Sequence, residues 1–366
     1  MISWDKISWR TFFIEEFFDV KRGNANNTTD RTIEYSKNQV AIASAKKNNN
    51  SICGFAIPKR NETIYKDILT VNNTGDGGAG YSYYHNYKVI VSSTVSVLLP
   101  KTKINPSSLK FLSVCIQNVT RPKFSFAYSA SDERLLKTKI LLPVDNDGKP
   151  NWSFMENYIR ELEKKKINEI LSHLNHTHTH TISKNVENLS CLQWRLFNVC
   201  NFFSVKRGSF FDINNKNNNC LFGVPVASAR DKNNPITGFF DLRDKKVYKN
   251  KLTINNNGSI GYCFFRNYYF QCTTDVTVII EKQNISDYCL KFIGSALQKT
   301  TLNKFSYSYK ISNDRLLYNT KILLPVDKNN NPYWEYMENY IRNLENIKIK
   351  KVIDHLERKI KLNFMY

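Results

Sequence analysis

The chain has 366 residues, of which 41% are hydrophobic and 13% aromatic, and 53 basic against 32 acidic side chains give a net charge of +21. This length exceeds one average hydrophobic core and fits two domains, and the aromatic content argues against a disordered chain. The charge indicates a polyanionic partner, with DNA or RNA favoured over an anionic membrane. No apolar run is long enough to span a bilayer and the N-terminus has no signal-peptide pattern, so we expect a cytoplasmic protein without membrane association.

The eight cysteines form no Cys-x-x-Cys pair and occupy no matched positions in the two halves of the chain. A zinc ribbon or a disulfide framework requires regular spacing. We therefore predict buried free thiols in a reducing compartment and no metal site. The alternating histidines of His176–His180 could bind a metal, but a run of His and Thr without apolar period is more typical of an exposed linker, which we place at His176–Asn188.

Most of the sequence consists of two similar repeats. Trp9 and Arg10 return as Trp194 and Arg195, at an offset of 194 − 9 = 185 residues. The most similar segments close the two copies, at 138–163 and 320–345, where 18 of 26 positions are identical. Self-similarity of this kind predicts two like structural modules.

In chain order, each module is predicted to contain a short apolar strand, a half-buried strand region with period two, and a helix. These segments are 40–45, 88–99 and 106–120 in the first module and 224–229, 275–280 and 287–299 in the second. An aromatic ladder follows each helix, Phe124-x-Phe126-x-Tyr128 and Phe305-x-Tyr307-x-Tyr309. The mixture of elements predicts an α+β fold.

Each module closes with a long helix whose apolar residues recur close to heptad spacing. Taken alone, such a helix leaves its apolar seam in water, whereas burying a leucine-sized side chain is worth about 1.5–3 kcal/mol. We therefore expect the two helices to pair, and because each leaves its own module in the same sense, an antiparallel pair is the simplest closed arrangement. The residues predicted to form this seam are Met155, Ile159, Leu162, Met337, Ile341 and Leu344.

Basic and polar residues recur at matched places in the turns between the predicted strands. Each one alone is more often a solubilising charge, but their recurrence together with the charge excess favours contact with nucleic acid. Basic side chains can hold phosphates, while Ser, Asn and Arg in loops can read base edges. The candidate DNA-binding residues are Lys21, Arg22, Ser44, Lys46, Lys47 and Arg60 in the first module and Lys206, Arg207, Ser228, Arg230, Lys232 and Asn234 in the second.

Two patterns could carry chemistry. The glycines at 75–80 match a dinucleotide fingerprint, but no amphipathic helix follows them, so we favour a hairpin turn. Asp145 with Glu163 and Lys165 resembles a nuclease pattern, but the last two lie on a charged helix face, which is more often simply solvated. No catalytic residue is predicted, and a self-contained site-specific DNA nuclease or methyltransferase stays as the alternative function.

The repeated segments together resemble a known family. They are the Trp-x-x-Phe start, the Ser-Ala-x-x-x-Asn-Asn block before Gly-Phe, the Asn-Asn-x-Gly-x-x-Gly-Tyr turn, the Asp-x-Arg-Leu element, and the closing Lys-Ile-Leu-Leu-Pro-Val-Asp…Met-Glu-Asn-Tyr-Ile segment. Over essentially its whole length the chain resembles the specificity (S) subunits of type I restriction–modification systems and their type IIB and IIG relatives.

This resemblance implies two repeated target-recognition domains, each followed by a long helix, with the two helices paired as an antiparallel coiled coil. The expected bounds are 1–152 for the first recognition domain, 153–190 for the central helix and linker, 191–334 for the second recognition domain and 335–366 for the C-terminal helix.

The resemblance also implies a non-catalytic subunit that binds a bipartite target in double-stranded DNA, with one half read by each domain. Its helices are expected to dock methyltransferase subunits, two of them, and restriction or translocase subunits are further expected partners. No cofactor is expected in this chain, whereas S-adenosylmethionine, ATP and Mg²⁺ are expected in the partner subunits.

Overall fold

The computed structural model of the protein describes residues 7–25, 31–74, 78–177, 188–210, 219–231, 234–241 and 246–364. The chain divides into two compact units, residues 1–173 with 356–366 and residues 174–355. Helices and strands are mixed in both units, as expected for an α+β protein. None of the helices in the described ranges is both long enough and apolar enough to cross a membrane.

The first unit is built on two four-stranded sheets and a two-stranded ribbon. One sheet has the order β2-β9-β6-β7 and the other β4-β3-β8-β5, while β1 pairs with β10. The strands are β1 (Trp9–Phe13), β2 (Phe18–Arg22), β3 (Val40–Ala43), β4 (Ile52–Ala56), β5 (Ile64–Tyr65), β6 (Ile68–Asn72), β7 (Ser82–His85), β8 (Val89–Val91), β9 (Val95–Pro100) and β10 (Lys139–Pro143). The helices are α1 (Pro106–Lys123), α2 (Asp132–Leu136) and α3 (Trp152–Thr177), whose residues from Leu174 onward are grouped with the second unit.

The second unit repeats this plan. Its sheets have the orders β12-β18-β15-β16 and β14-β13-β17, and β11 pairs with β19. The strands are β11 (Trp194–Asn198), β12 (Phe203–Arg207), β13 (Asn219–Ala227), β14 (Ile236–Phe240), β15 (Lys251–Asn255), β16 (Cys263–Arg266), β17 (Gln271–Cys272), β18 (Val276–Glu281) and β19 (Lys321–Pro325). The helices are α4 (Asp287–Lys304), α5 (Asn313–Leu317) and α6 (Trp334–Phe364), whose residues from Leu356 onward are grouped with the first unit.

Local sequence explains where the first helix of each unit begins. The side chain of Asn105 accepts a 2.8 Å hydrogen bond from the amide of Ser108, and Pro106 occupies the first helical position, where its missing N–H costs nothing. In the second unit the hydroxyl of Ser286 accepts a 3.3 Å bond from the amide of Cys289. Both helices run a few residues further than the sequence predicts.

Strand β8 and the first four residues of β9 are buried on both faces, not half-buried as their alternation predicts, while the last two residues of β9 are partly exposed. Leu98 faces the core that α1 covers, whereas Val97 on the opposite face lies in a second core with Val89 and Val91. A strand covered on both faces has no solvent side, so hydrophobic alternation alone cannot reveal its burial.

The closing helices begin as part of their own domains. Met155 and Ile159 lie in the core of the first unit, and in the second unit Met337 lies in the core with Ile341 packed against it. The sequence assigned these four residues to the seam between the helices, but their packing partners are the domains that they close.

Further along, each closing helix is tied to its domain by an ion pair. Lys110 on α1 meets Glu163 on α3 at 2.5 Å, and Lys291 on α4 meets Glu345 on α6 at 2.6 Å. Glu163 is therefore half-buried and paired, neither a solvated charge nor part of a nuclease constellation. The pairing of the two helices with each other stays a prediction.

The linker and the cysteines differ in part from expectation. Helix α3 continues to Thr177, so the linker predicted at His176–Asn188 begins inside a helix, and residues 178–187 lie outside the described residues. Seven cysteines are described as free thiols; Cys272 and Cys289 are buried, but Cys191 is exposed and the others are intermediate. Burial is therefore the exception among them.

Candidate nucleic-acid interface

The Lys-Arg pairs stand at the ends of strands. Lys21 and Arg22 are the last residues of β2, and Lys206 and Arg207 are the last residues of β12. Their backbone is thus held in a sheet instead of lying in the turn where the sequence placed it, and all four side chains are exposed. A rigid backbone fixes the position of each charge at the edge of its unit.

The glycine after each pair is required by a close backbone contact. A Cβ on Gly23 would overlap the carbonyl oxygen of Ser92, and one on Gly208 would overlap that of Thr273. Two residues on, the amide of Ala25 donates a 2.8 Å bond to the carbonyl of Val91. The Lys-Arg-Gly motif therefore places its two cations beside the turn that follows β8 or β17.

The loop that follows β3 meets the same turn. The amide of Ser92 donates a 2.9 Å bond to the carbonyl of Ala43, the last residue of β3. The loop then closes on itself, since the amide of Ser44 bonds to the carbonyl of Ser51 at 2.9 Å. In the second unit the amide of Thr273 bonds to Ala227 at 3.0 Å. The end of β2 or β12 and the start of the cationic loop therefore meet at one turn in each unit.

A buried asparagine at the end of β6 or β15 holds this loop in place. Asn72 Nδ2 donates 3.0 Å bonds to the carbonyls of Lys46 and Gly78. Asn255 Nδ2 donates the equivalent bond to the carbonyl of Arg230 at 2.7 Å. Both asparagines are fully buried. Sequence analysis did not assign them a role, although each ends a Leu-Thr-Val/Ile-Asn segment present in both modules.

The remaining candidates are placed less uniformly. Lys46, Lys47 and Arg230 are exposed, and Arg60 is exposed on a segment whose continuation at Asn61 accepts a 2.9 Å bond from Asn24 Nδ2. Ser44 is half-buried.

Two candidates of the second unit are turned inward. Ser228 Oγ and Asn234 Oδ1 are buried and have no hydrogen-bond partner among the described residues, so base contact through these atoms requires the loop to open. Lys232 lies outside the described residues. DNA contact by these three residues stays a prediction.

Under the loop of the first unit lies a buried polar cluster around His85. Its Nε2 is 2.9 Å from Thr70 Oγ1, and its Nδ1 is 3.1 Å from the hydroxyl of Tyr87. Asn50, in the loop, donates 2.9 and 3.1 Å bonds to that hydroxyl and to the carbonyl of Tyr84. Burial lowers the pKa of His85 to about 4, so the ring is neutral at pH 7.

The second unit has Arg266 at the matched position, and it is fully buried. Its Nε donates to Thr253 Oγ1 at 3.0 Å and its Nη1 to the hydroxyl of Tyr268 at 2.9 Å, while Nη2 is buried without a partner in the described part of the chain. Phe264 and Phe270 lie 5.7 and 5.6 Å from the guanidinium. The two units thus hold chemically different groups at this matched buried position, a neutral imidazole and a guanidinium.

The patterns that could have carried chemistry have structural roles. Asp145 Oδ1 accepts bonds of 3.0 and 2.9 Å from the amides of Asp147 and Lys149, which makes it a turn cap. Gly80 has a φ of 75° and leads into strand β7, as the hairpin interpretation predicts, while 75–77 lie outside the described residues. Among the described residues no group of three or more His, Cys, Asp or Glu could hold a metal ion.

Comparison with known proteins identifies the family. The sequence pattern described as Type I restriction modification DNA specificity domain matches residues 6–172 and again residues 192–355. The specificity subunit S.BcgI of a type II restriction enzyme from Heyndrickxia coagulans is 26% identical over 347 residues, which cover 93% of this chain and 95% of that protein. The crystal structure of the S subunit of a type I restriction–modification system from M. genitalium shares the fold, with a TM-score of 0.53 at 15% identity over 100% of this chain and 95% of that one. The chain therefore belongs to the type I restriction–modification DNA specificity family, and it is a non-catalytic specificity subunit with two recognition domains.

Proposed function

We propose that the chain binds a bipartite target in double-stranded DNA and reads one half-site with each unit. The observation that carries this proposal is the repeated arrangement of exposed cations at the end of β2 or β12 and in the neighbouring loop. The same backbone contacts hold the arrangement in both units. Two like binding surfaces on one chain are suited to one bipartite ligand.

The cations are suited to phosphate. Lys21, Arg22, Lys46 and Lys47 are exposed, and within the described ranges none of them forms an ion pair. A phosphate backbone would therefore displace no carboxylate, and each contact would release a condensed counterion. These contacts position the duplex, and residues on the divergent loops discriminate among bases.

Differences between the two units support different half-sites. The frame strands match closely, whereas segments 24–37 and 60–65 have little counterpart in 210–219 and 243–248. The buried polar groups differ as well, since Arg266 of the second unit occupies the position of His85 in the first. Divergent loops on a common frame are how one scaffold recognises different ligands.

We further propose that the closing helices and the surfaces beside them dock two copies of a methyltransferase subunit, and that restriction or translocase subunits join the complex. Leu344 lines an apolar groove of about 760 Å³ together with Trp194, Phe292 and Leu323. In the first unit Leu141 and Leu162 are likewise 50% and 42% exposed. Exposed apolar side chains of this kind support protein docking.

The chemistry of the complex is assigned to its partners. S-adenosylmethionine, ATP and Mg²⁺ would bind there, and the complex would act in the cytoplasm, where host DNA is. The purified chain incubated alone with S-adenosylmethionine and with Mg²⁺ should neither methylate nor cleave DNA.

Mapping methylated bases in host DNA with and without the gene tests the proposed function. The expected result is one bipartite methylated motif that disappears with the gene. An unchanged methylation map in a host that retains active methyltransferase subunits would contradict the proposal, as would methylation by the chain alone.

A further inference from the structure

An aromatic residue stands exposed at the tip of a tight turn in both units. The turns are Ser125–Tyr128, after α1, and Ser306–Tyr309, after α4. Phe126 is 82% exposed and Tyr307, at the matched position, is 79% exposed. A single exposed aromatic residue is ordinary on a protein surface, but here the turn is built to hold it there.

Neither turn depends on its tip residue for its shape. The amide of Ser125 bonds to the carbonyl of Tyr128 at 3.0 Å, and that of Ser306 to Tyr309 at 3.2 Å. The tyrosine that ends each turn is stacked between a phenylalanine ring and an arginine. In the first unit the ring centroid of Tyr128 lies 5.8 Å from that of Phe124 and 4.2 Å from the guanidinium carbon of Arg134. In the second unit the ring centroid of Tyr309 lies 5.5 Å from that of Phe305 and 4.3 Å from the guanidinium carbon of Arg315. A braced turn presents its tip with little further loss of entropy on binding.

The turn of the first unit lies at the same end of the domain as the candidate DNA interface. The amide of Ala130, two residues after the turn, donates a 3.0 Å bond to the carbonyl of Asn73. The preceding residue, Asn72, is the one that holds the carbonyl of Lys46. Two adjacent residues of the frame therefore anchor the cationic loop and the aromatic turn.

The charge around the turns favours a polyanion over an apolar protein surface. Lys310 Nζ lies 4.6 Å from the ring centroid of Tyr307, and Lys304 and Arg315 lie against the other two aromatic rings of that turn. In the first unit, Lys123 and Arg134 occupy the corresponding places. Burying the turn in an apolar groove would desolvate these cations without compensation. The edge of a duplex offers phosphates to the cations and deoxyribose to the ring.

We propose that Phe126 and Tyr307 are DNA contacts in which the exposed ring packs against the sugar edge of the duplex, independently of base sequence. The proposal rests on the DNA-binding function proposed above and adds a nonionic contact to it. Proteins that bind the minor groove already combine basic residues with apolar side chains, phenylalanine among them, in contact with duplex DNA.

The test uses full-length Phe126→Ala, Tyr307→Ala and double variants binding a mixed-sequence duplex over a range of salt concentrations. Each single substitution should weaken binding about tenfold at every salt concentration, which is about 1.4 kcal/mol. The slope of log affinity against log salt should stay unchanged, because no phosphate contact is lost. Tyr307→Phe should keep wild-type affinity, and Tyr318→Ala, which removes an aromatic residue that is 64% exposed elsewhere, serves as the matched control.

Three results would overturn this contact. Wild-type affinity in the double variant would remove it directly. A reduced salt slope would assign the effect to displaced cations. Unchanged DNA binding with loss of methyltransferase co-purification would assign the turns to a protein partner. The behaviour of the wild-type chain tests the proposed function separately. If the wild-type chain showed no salt-dependent DNA binding, the proposed function would be wrong, whereas the three results above leave wild-type binding intact and contradict only the aromatic contact.

Discussion

Asn72 Nδ2 donates a 3.0 Å hydrogen bond to the carbonyl of Lys46, and Asn255 repeats the bond to Arg230 at 2.7 Å. Each asparagine is the last residue of a central frame strand, β6 or β15. The loop that carries the cations is therefore held by a buried side chain at the end of an internal strand of its sheet. This arrangement lets loop sequence vary between the units while the loop origin stays fixed.

Replacing one of these two asparagines should impair sequence discrimination at one half-site of the DNA target. In Asn255→Ala the part-buried carbonyl of Arg230 loses its donor, and the loss of this hydrogen bond costs about 0.5–1.5 kcal/mol. Competition binding against duplexes scrambled in either half-site should show about tenfold poorer discrimination at the second half-site and no change at the first. Asn72→Ala is the mirror-image control, and equal losses at both half-sites from either variant would contradict a local role.

The strand-end cations should act on affinity and not on sequence preference. Lys206→Ala with Arg207→Ala should weaken binding to all sequences and lower the salt slope by about 2, one for each phosphate contact. Arg207 Nε already donates a 2.6 Å bond to the carbonyl of Thr274, which orients its guanidinium. Lys351→Ala, an exposed cation on α6, is the control. A changed specificity at constant slope would show that these residues read bases.

The first unit should lose stability in mild acid. Burial among Thr70, Tyr87 and Asn50 lowers the pKa of His85 from 6.5 to about 4. The unfolded chain therefore takes up the proton first, and stability present above pH 6.5 falls as the pH drops towards 4. Between pH 7 and pH 5 the loss should be about 2 kcal/mol.

The measurement for this effect is thermal unfolding of the full chain at several pH values, with His85→Gln beside the wild type. The variant should lack that part of the pH dependence that His85 causes. An identical pH profile in both proteins would show that His85 does not titrate between the folded and unfolded states as its burial requires.

A charge placed in the apolar groove beside α6 should weaken binding of the methyltransferase subunits but leave the second unit folded. Leu344 is 41% exposed, so the side chain in Leu344→Lys can reach water and the second unit should melt close to wild type. Covering the exposed part of this leucine contributes a fraction of the about 1.5–3 kcal/mol of full burial, and a lysine there would also have to be desolvated, so assembly with methyltransferase subunits should weaken at least tenfold. Leu162→Lys tests the matched place. Sedimentation of an intact complex with two methyltransferase subunits would contradict this role of the groove.

Sequence alone predicted the repeated modules, their α+β character and the family, because these features follow from local hydrophobic periodicity and from segments that occur twice in the chain. Heptad spacing identified an apolar face on each closing helix, but spacing cannot say which neighbour covers it, and Met155 and Met337 pack into their own domains. The role of Asn72 and Asn255 could not be foreseen, since they bond to backbone carbonyls 26 and 25 residues away. Such contacts form between segments that are distant in the sequence, and local hydrophobic periodicity contains no information about them.

The central claim is that the two units read different halves of one duplex. Selection of bound sequences by the full-length chain from a random-sequence duplex pool tests it most directly. The account predicts two short, unlike motifs separated by a spacer of fixed length and free sequence. A single continuous motif, or two halves that form a perfect palindrome, would contradict it.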